Sequence, residues 1–110
     1  MKWGVRKMSK FYIKWWKNLH TIPTNPEEQA KLWMTLLEWV RAEQKAGLFK
    51  EWGACVDSGS GYCIADTDEV SLHSHLLKYQ PFIIFSIKPV LSADQTIESI
   101  KRAVTAAKSG

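Results

Sequence analysis

Three groups of side chains in this sequence are of types that could do chemistry. The first is the pair Cys55 and Cys63, which flank the turn-forming stretch Asp57-Ser58-Gly59-Ser60-Gly61. With a three-residue loop they face each other across a hairpin; with a two-residue loop they are one place out of register. Directly paired strand positions hold their Cα atoms near the lower end of the disulfide range. In a chain of cytosolic composition, reduced thiols packed as small hydrophobes are the expectation. The seven residues between the cysteines, with no adjacent histidine and no second cysteine pair, do not fit zinc spacing, so no metal is expected.

The second group is the histidines. His73 shares a helical stripe with Val70 and Leu77, so it is expected to point towards a sheet. An imidazole there could act as general acid or base near neutral pH, or simply be buried and bonded to backbone. His73 is the candidate catalytic residue. His75 falls on the side of Lys78 and should be solvated, and His20 lies in a loop before Pro23, either exposed or at a pocket mouth.

The third group is aromatic and basic. In the run Phe11 to Trp16, Tyr12, Lys14 and Trp16 share one face and Phe11, Ile13 and Trp15 the other. If the run is a strand beside the one containing Ser86 and Lys88, then Tyr12, Lys14 and Trp16 can face those two residues across the ladder. Lysines beside aromatic rings suit an anionic aromatic or enolate ligand, through charge pairing and stacking. The plainer reading has both lysines reaching solvent, or pairing with Asp57 or Glu51 of a second copy. Alternation does not say which face opens on a cavity. The candidate ligand-binding set is therefore Tyr12, Lys14, Trp15, Trp16, Ser86 and Lys88. No cofactor is expected: Gly59-Ser60-Gly61 leads into a strand, not a phosphate-binding helix, and no nucleophile elbow or carboxylate pair can be placed.

The elements that must position these residues follow from local signals. The first strand begins at Lys10. Asn25 as N-cap, Pro26 at the first helical position, Glu28 three residues after the cap and Gly47 as terminator define a long helix. On it Ala30, Trp33, Met34, Leu37 and Val40 form the expected core stripe, while Leu32 and Trp39 form a second stripe for another chain or the C-terminal segment. A hairpin follows, then a second helix capped by Asp66 with Glu69, a strand from Pro81 to Val90, and a third helix capped by Ser92 with Gln95. That last helix is amphipathic, with Ile97, Ile100, Val104 and Ala107 on one face.

The fold class is therefore α+β, a ferredoxin-like β-α-β-β-α-β pattern with an extra C-terminal helix. Residues 1–9 form a basic extension, 10–91 the ferredoxin-like domain and 92–110 the C-terminal helix. One sheet face is left bare, so a second subunit is expected to cover it, with a further step to higher oligomers through Leu32 and Trp39. The net charge is +4, yet the first twenty residues carry six basic groups and no acid, so the rest is nearly neutral. A charged tail leading into a strand is the reading taken over nucleic-acid binding, and Met8 is a second possible start. No apolar run approaches the ~20 residues that span a bilayer, and no apolar stretch follows the initial charges; a cytoplasmic, non-membrane protein is expected.

The stretches "FYIKWW", "GLFKEWG", "GSGYCIADTDEVSLHSHL" and "PFIIFSIKPV", from Phe11 to Val90, resemble the dimeric α/β-barrel superfamily, in particular small members such as muconolactone isomerase and uncharacterised domains with the same hairpin, Asp-x-Asp-Glu helix start and Pro-Val strand end. The resemblance implies a homodimer whose sheets close face to face. It implies a small, aromatic or anionic molecule bound between sheet and helices, with isomerase-like or cofactor-free oxygenase chemistry. The alternative is a non-catalytic ligand-binding or assembly module.

Overall fold

The alternation of Phe11, Ile13 and Trp15 with Tyr12, Lys14 and Trp16 builds β1 (Ser9–Lys17), with the first set buried and the second half-buried or exposed. The computed structural model describes residues 9–57 and 59–109. The basic extension up to Met8, and the readings placed on it, lie outside the described residues; Ser9 is already the first residue of β1.

The remaining elements are α1 (Pro26–Lys45), β2 (Phe49–Ala54), β3 (Ser60–Thr67), α2 (Glu69–Leu77), β4 (Ile83–Val90) and α3 (Ala93–Ser109). The four strands form one sheet in the order β2-β3-β1-β4, with antiparallel neighbours throughout. This is the ferredoxin-like arrangement followed by a C-terminal helix. α1 and α2 cover the face carrying Phe11, Ile13 and Trp15, where Cys63, Ala65, Leu36, Val40, Leu72, Leu76 and Tyr79 complete the core.

Local chemistry sets the helix ends. Asn25 Oδ1 accepts from the amides of Glu27 and Glu28 at 2.9 and 3.2 Å, supplying partners that the first turn lacks. α1 stops at Gly47, whose φ of +86° lies in the left-handed region open to glycine. In α3 the expected capping box is complete: the Ser92 amide donates to Gln95 Oε1 at 2.8 Å and the Gln95 amide to Ser92 Oγ at 3.1 Å. The cap of α2 is Asp68 and not Asp66, its carboxylate accepting from the Ser71 amide at 2.9 Å. The shift arises because β3 runs on through buried Ala65 and Thr67, which pair with Phe11 and Ser9 of β1.

α1 is rotated from the expected stripe. Its buried residues are Leu36, Val40 and Glu43, with Leu32, Trp33 and Trp39 packed against the core, while Met34 and Leu37 are 60% and 39% exposed. Leu32 and Trp39 therefore belong to the intramolecular interface and do not form an outward stripe. Trp39 meets Tyr79 edge to face at 5.7 Å, and Glu43 is held by α2, so the second helix decides which flank of α1 turns inward.

Among the described residues nothing covers the other sheet face. Tyr12, Lys14 and Trp16 lie there beside Ile64, Tyr62 and Ser60 of β3 and Lys88, Ser86 and Ile84 of β4. α3 does not cover it, since no residue of that helix is buried and Ile97, Ile100 and Val104 are all exposed. Among the described residues no helix is long and apolar enough to cross a membrane.

Candidate functional site

The inner face of β1 and the facing side of α1 leave a cavity of about 200 Å³ between the sheet and the helix layer. Its walls are aromatic and aliphatic: Trp15, Trp33, Trp52, Phe49, Tyr79 and Phe85 supply rings. Trp15 and Trp52, on β1 and β2, stack with centroids 5.4 Å apart and planes within 10°. Trp15 lies flat because Gly61 beside it has no side chain; a Cβ there would stand 2.3 Å from Trp15 Cζ2.

The cavity has a dry end and a wet end. Cys63 and Tyr79 are buried at one, whereas Cys55 is exposed and Lys17 half-buried at the other. Lys17 Nζ sits 4.2 Å from the centroid of the Trp33 ring, a cation–π arrangement that holds its charge at the cavity's edge. The amide of Lys17 donates to the Gly59 carbonyl at 3.2 Å, tying the end of β1 to the β2–β3 turn.

Behind the dry end lies a buried charge cluster. Glu43 on α1 is 2% exposed, and its carboxylate meets His75 Nδ1 at 3.0 Å and the Lys78 ammonium, both from the α2 side. Burial of an unpaired carboxylate is costly, and the Lys78 ammonium together with the His75 ring nitrogen offsets it. Burial pushes the Cys63 thiol up to about 12, with the nearby Glu43 charge adding to the shift, and burial followed by the charges of Glu43 and Cys63 raises the Tyr79 phenol in the same direction. Both groups stay protonated at neutral pH.

The two cysteines are free and out of register: Cys63 stands opposite Trp52 and Ile13, while the Cys55 amide donates to the Ser60 carbonyl at 2.8 Å. A thiol reagent at pH 8 should therefore label Cys55 rapidly and Cys63 only on unfolding. The raised thiol also sets an alkaline limit. An unfolded thiol loses its proton near 9.0 while the folded one keeps it to about 12, so folding stability falls as pH rises through that window. Cys63→Val should flatten that part of the alkaline unfolding curve, as read by circular dichroism.

The expected site residues are divided among three places. Tyr12, Lys14, Trp16, Ser86 and Lys88 are brought together on the open sheet face, with Lys14 opposite Ser86 and Tyr12 opposite Lys88. Trp15 alone of that set lines the cavity. His73 does not point towards the sheet: it is exposed, on a shallow groove between α2 and β4 with Phe11, Leu77 and Ile87. The inward stripe of α2 is Leu72 and Leu76, and His75 makes the contact with a buried group. His20 is exposed in its loop. Among the described residues no three His, Cys, Asp or Glu side chains cluster for a metal ion.

Lys17, Trp52, Tyr79 and Glu43 were not singled out by sequence pattern, whereas Trp33 lay on the expected core stripe of α1. For Glu43 a signal exists: it follows Leu36 and Val40 at helical spacing, so a carboxylate falls on an apolar stripe.

No curated protein matches the chain. The family model of a domain of unknown function, DUF3303, matches residues 9–104, from the first residue of β1 into α3, and the chain belongs to that family.

Proposed function

We propose that this protein is a ligand-binding module that holds a small aromatic acid of one or two rings between its sheet and its helices. The observation that carries this reading is the aromatic cavity of about 200 Å³ with Lys17 at its exposed end. An apolar cavity of roughly 150 Å³ in a protein core already takes up benzene. The stacked Trp15 and Trp52 offer a flat wall to a ring, and Lys17 offers a cation to a carboxylate. The isomerase-like or cofactor-free oxygenase chemistry implied by the resemblance would need a proton-transfer group on the wall. His73 is not one of the lining residues, and the buried Cys63 and Tyr79 that do line the wall hold their protons at neutral pH, which favours binding over turnover.

Tryptophan fluorescence tests it. In this reading 2-naphthoate saturates the protein, and Lys17→Met weakens it about tenfold, the equivalent of one charge-assisted hydrogen bond of ~1.5 kcal/mol. The neutral methyl ester should be affected much less. Failure of every aromatic acid to saturate, or an equal loss for acid and ester, would overturn the assignment.

The same reading makes the molecule a homodimer through its open sheet face. That face carries cations on one half, Lys10, Lys14 and Lys88 of β1 and β4, and Glu51 and Asp66 on the other half, β2 and β3. A two-fold axis that lays one half over the partner's other half matches opposite charges around Tyr12, Trp16 and Ile64. Light scattering should give twice the chain mass for the parent. Trp16→Glu should give the chain mass itself with unchanged circular dichroism, since Trp16 lies outside the core. A monomeric parent would remove the dimer.

A further inference from the structure

We infer that α3 is a pairing helix: it lies antiparallel against α3 of a second copy, with Asp94 of each chain meeting Lys101 of the other. The inference rests on the homodimer proposed above and gives that dimer a second contact, apart from the sheet face.

The seventeen residues of α3 have nothing in their own chain to pack on, for none of them is buried. Yet the helix is not polar all round. Ala93, Ile97, Ile100, Val104 and Ala107 follow one another at intervals of four, three, four and three residues, the spacing of a coiled-coil seam. Ile97, Ile100 and Val104 stand exposed along it. The Glu98–Arg102 ion pair lies on the far side of the helix and the Ser92–Gln95 box at its start, so neither support covers the seam. A stripe with this spacing is buried by another helix that carries the same spacing, and a second copy supplies one. Residues 93–104 lie within the family match, so this part of the seam belongs to the domain.

Charge selects the direction and the register. One flank of the seam carries Asp94, Lys101 and Lys108; the other carries Thr96 and Ala103, which have no charge. In a parallel pair opposite flanks meet, so the lysines face Thr96 and Ala103 and no acid. In an antiparallel pair like flanks meet. Asp94 then faces the partner's Lys101, twice by symmetry, when Ile97 packs on the partner's Ile100 and Ala93 on the partner's Val104. Sliding the helices by one heptad gives Asp94 the partner's Lys108 instead, but sets Lys101 against its own copy. The first register has two opposite-charge pairs and no like-charge pair. So short a seam is marginal alone, which is why it forms on a dimer already held by the sheet face.

Hydrogen exchange and a cross-link test the pairing. Between the monomeric Trp16→Glu variant and the dimeric parent, the amides of residues 97–104 should slow about tenfold while still exchanging faster than those of β1. Lys101→Glu should abolish that slowing at unchanged dimer mass, and Asp94→Lys/Lys101→Glu, which reverses the pair, should restore it. The cross-link reads the register even if the charge variants fray the helix. In Cys55→Ser/Ala93→Cys/Val104→Cys, mild oxidation should give a covalent dimer, because within one chain the two new thiols lie about 16 Å apart along the helix and cannot join. Equal exchange in Trp16→Glu and the parent overturns the inference, as does a cysteine variant that stays monomeric on oxidation or a slowing that survives Lys101→Glu. If the parent is a dimer and α3 shows neither effect, the sheet-face dimer stands and the helix pair falls. A monomeric parent removes both.

Discussion

Gly61→Ala is expected to leave little folded protein at temperatures where the parent is intact. A Cβ at Gly61 would lie 2.1 Å from the carbonyl oxygen of Gly53 and 2.3 and 2.5 Å from Cζ2 and Cε2 of Trp15. Neither neighbour can step aside. The carbonyl is part of the β2–β3 ladder, and Trp15 is a buried ring stacked on Trp52. Overpacking a core by one group costs typically ~1–3 kcal/mol, and contact with backbone lies at or beyond the top of that range. Against a net stability of roughly 5–15 kcal/mol for a domain, the loss is decisive. Thermal unfolding by circular dichroism is the measurement. Trimming the ring in Gly61→Ala/Trp15→Leu should recover little, because the backbone clash remains; a fall of only a few degrees for Gly61→Ala would show that the two strands can part there.

The second large effect is an asymmetry at the buried carboxylate. Lys78→Met leaves Glu43 buried with His75 as its remaining partner, whereas Glu43→Leu leaves a lysine and an imidazole that already reach solvent. Breaking a buried pair costs about 3–5 kcal/mol, and the partial exposure of Lys78 puts this case at the lower end. Glu43→Leu should cost less than Lys78→Met, because leucine continues the stripe of Leu36 and Val40. The double variant should be more stable than Lys78→Met alone. Denaturant unfolding of the four proteins in a cycle gives the coupling directly. Equal losses for the two single variants would mean that the pair is solvated in effect and contributes little.

Much of this architecture is legible in the amino-acid order because it is written by short-range rules. Strict alternation marks β1 and the faces of its side chains, and Asn25, Pro26, Gly47, Ser92 and Gln95 mark ends that local hydrogen bonds or backbone geometry enforce. The pairing of Lys14 with Ser86 follows once the strand order is known. What is not legible depends on a second element. A register shift between Phe49 and Glu51 lets both Phe49 and Trp52 face inward although an odd number of positions separates them, so a period of two misplaces half of β2. The burial of α1 depends on where α2 supplies Lys78 and His75. His73 and His75 are two places apart on one short helix, and only the position of Glu43 on another helix singles out the second. The cavity wall draws residues from all four strands and both packed helices. No local pattern could have assembled it.

α3 is a helix whose seventeen residues bury nothing. Isolated helices of this length are marginal in water, since each turn relies on its own hydrogen bonds and little else. Here the local supports are the Ser92–Gln95 box and the Glu98–Arg102 pair, with Nε and Oε1 3.0 Å apart on the surface. Their combined contribution is small, so the amide protons of residues 97–109 should exchange with solvent far faster than those of β1 or β3. The helix thereby reports on its surroundings: any surface that settles on Ile97, Ile100 and Val104 will appear first as slowed exchange along this segment, with the sheet amides unchanged.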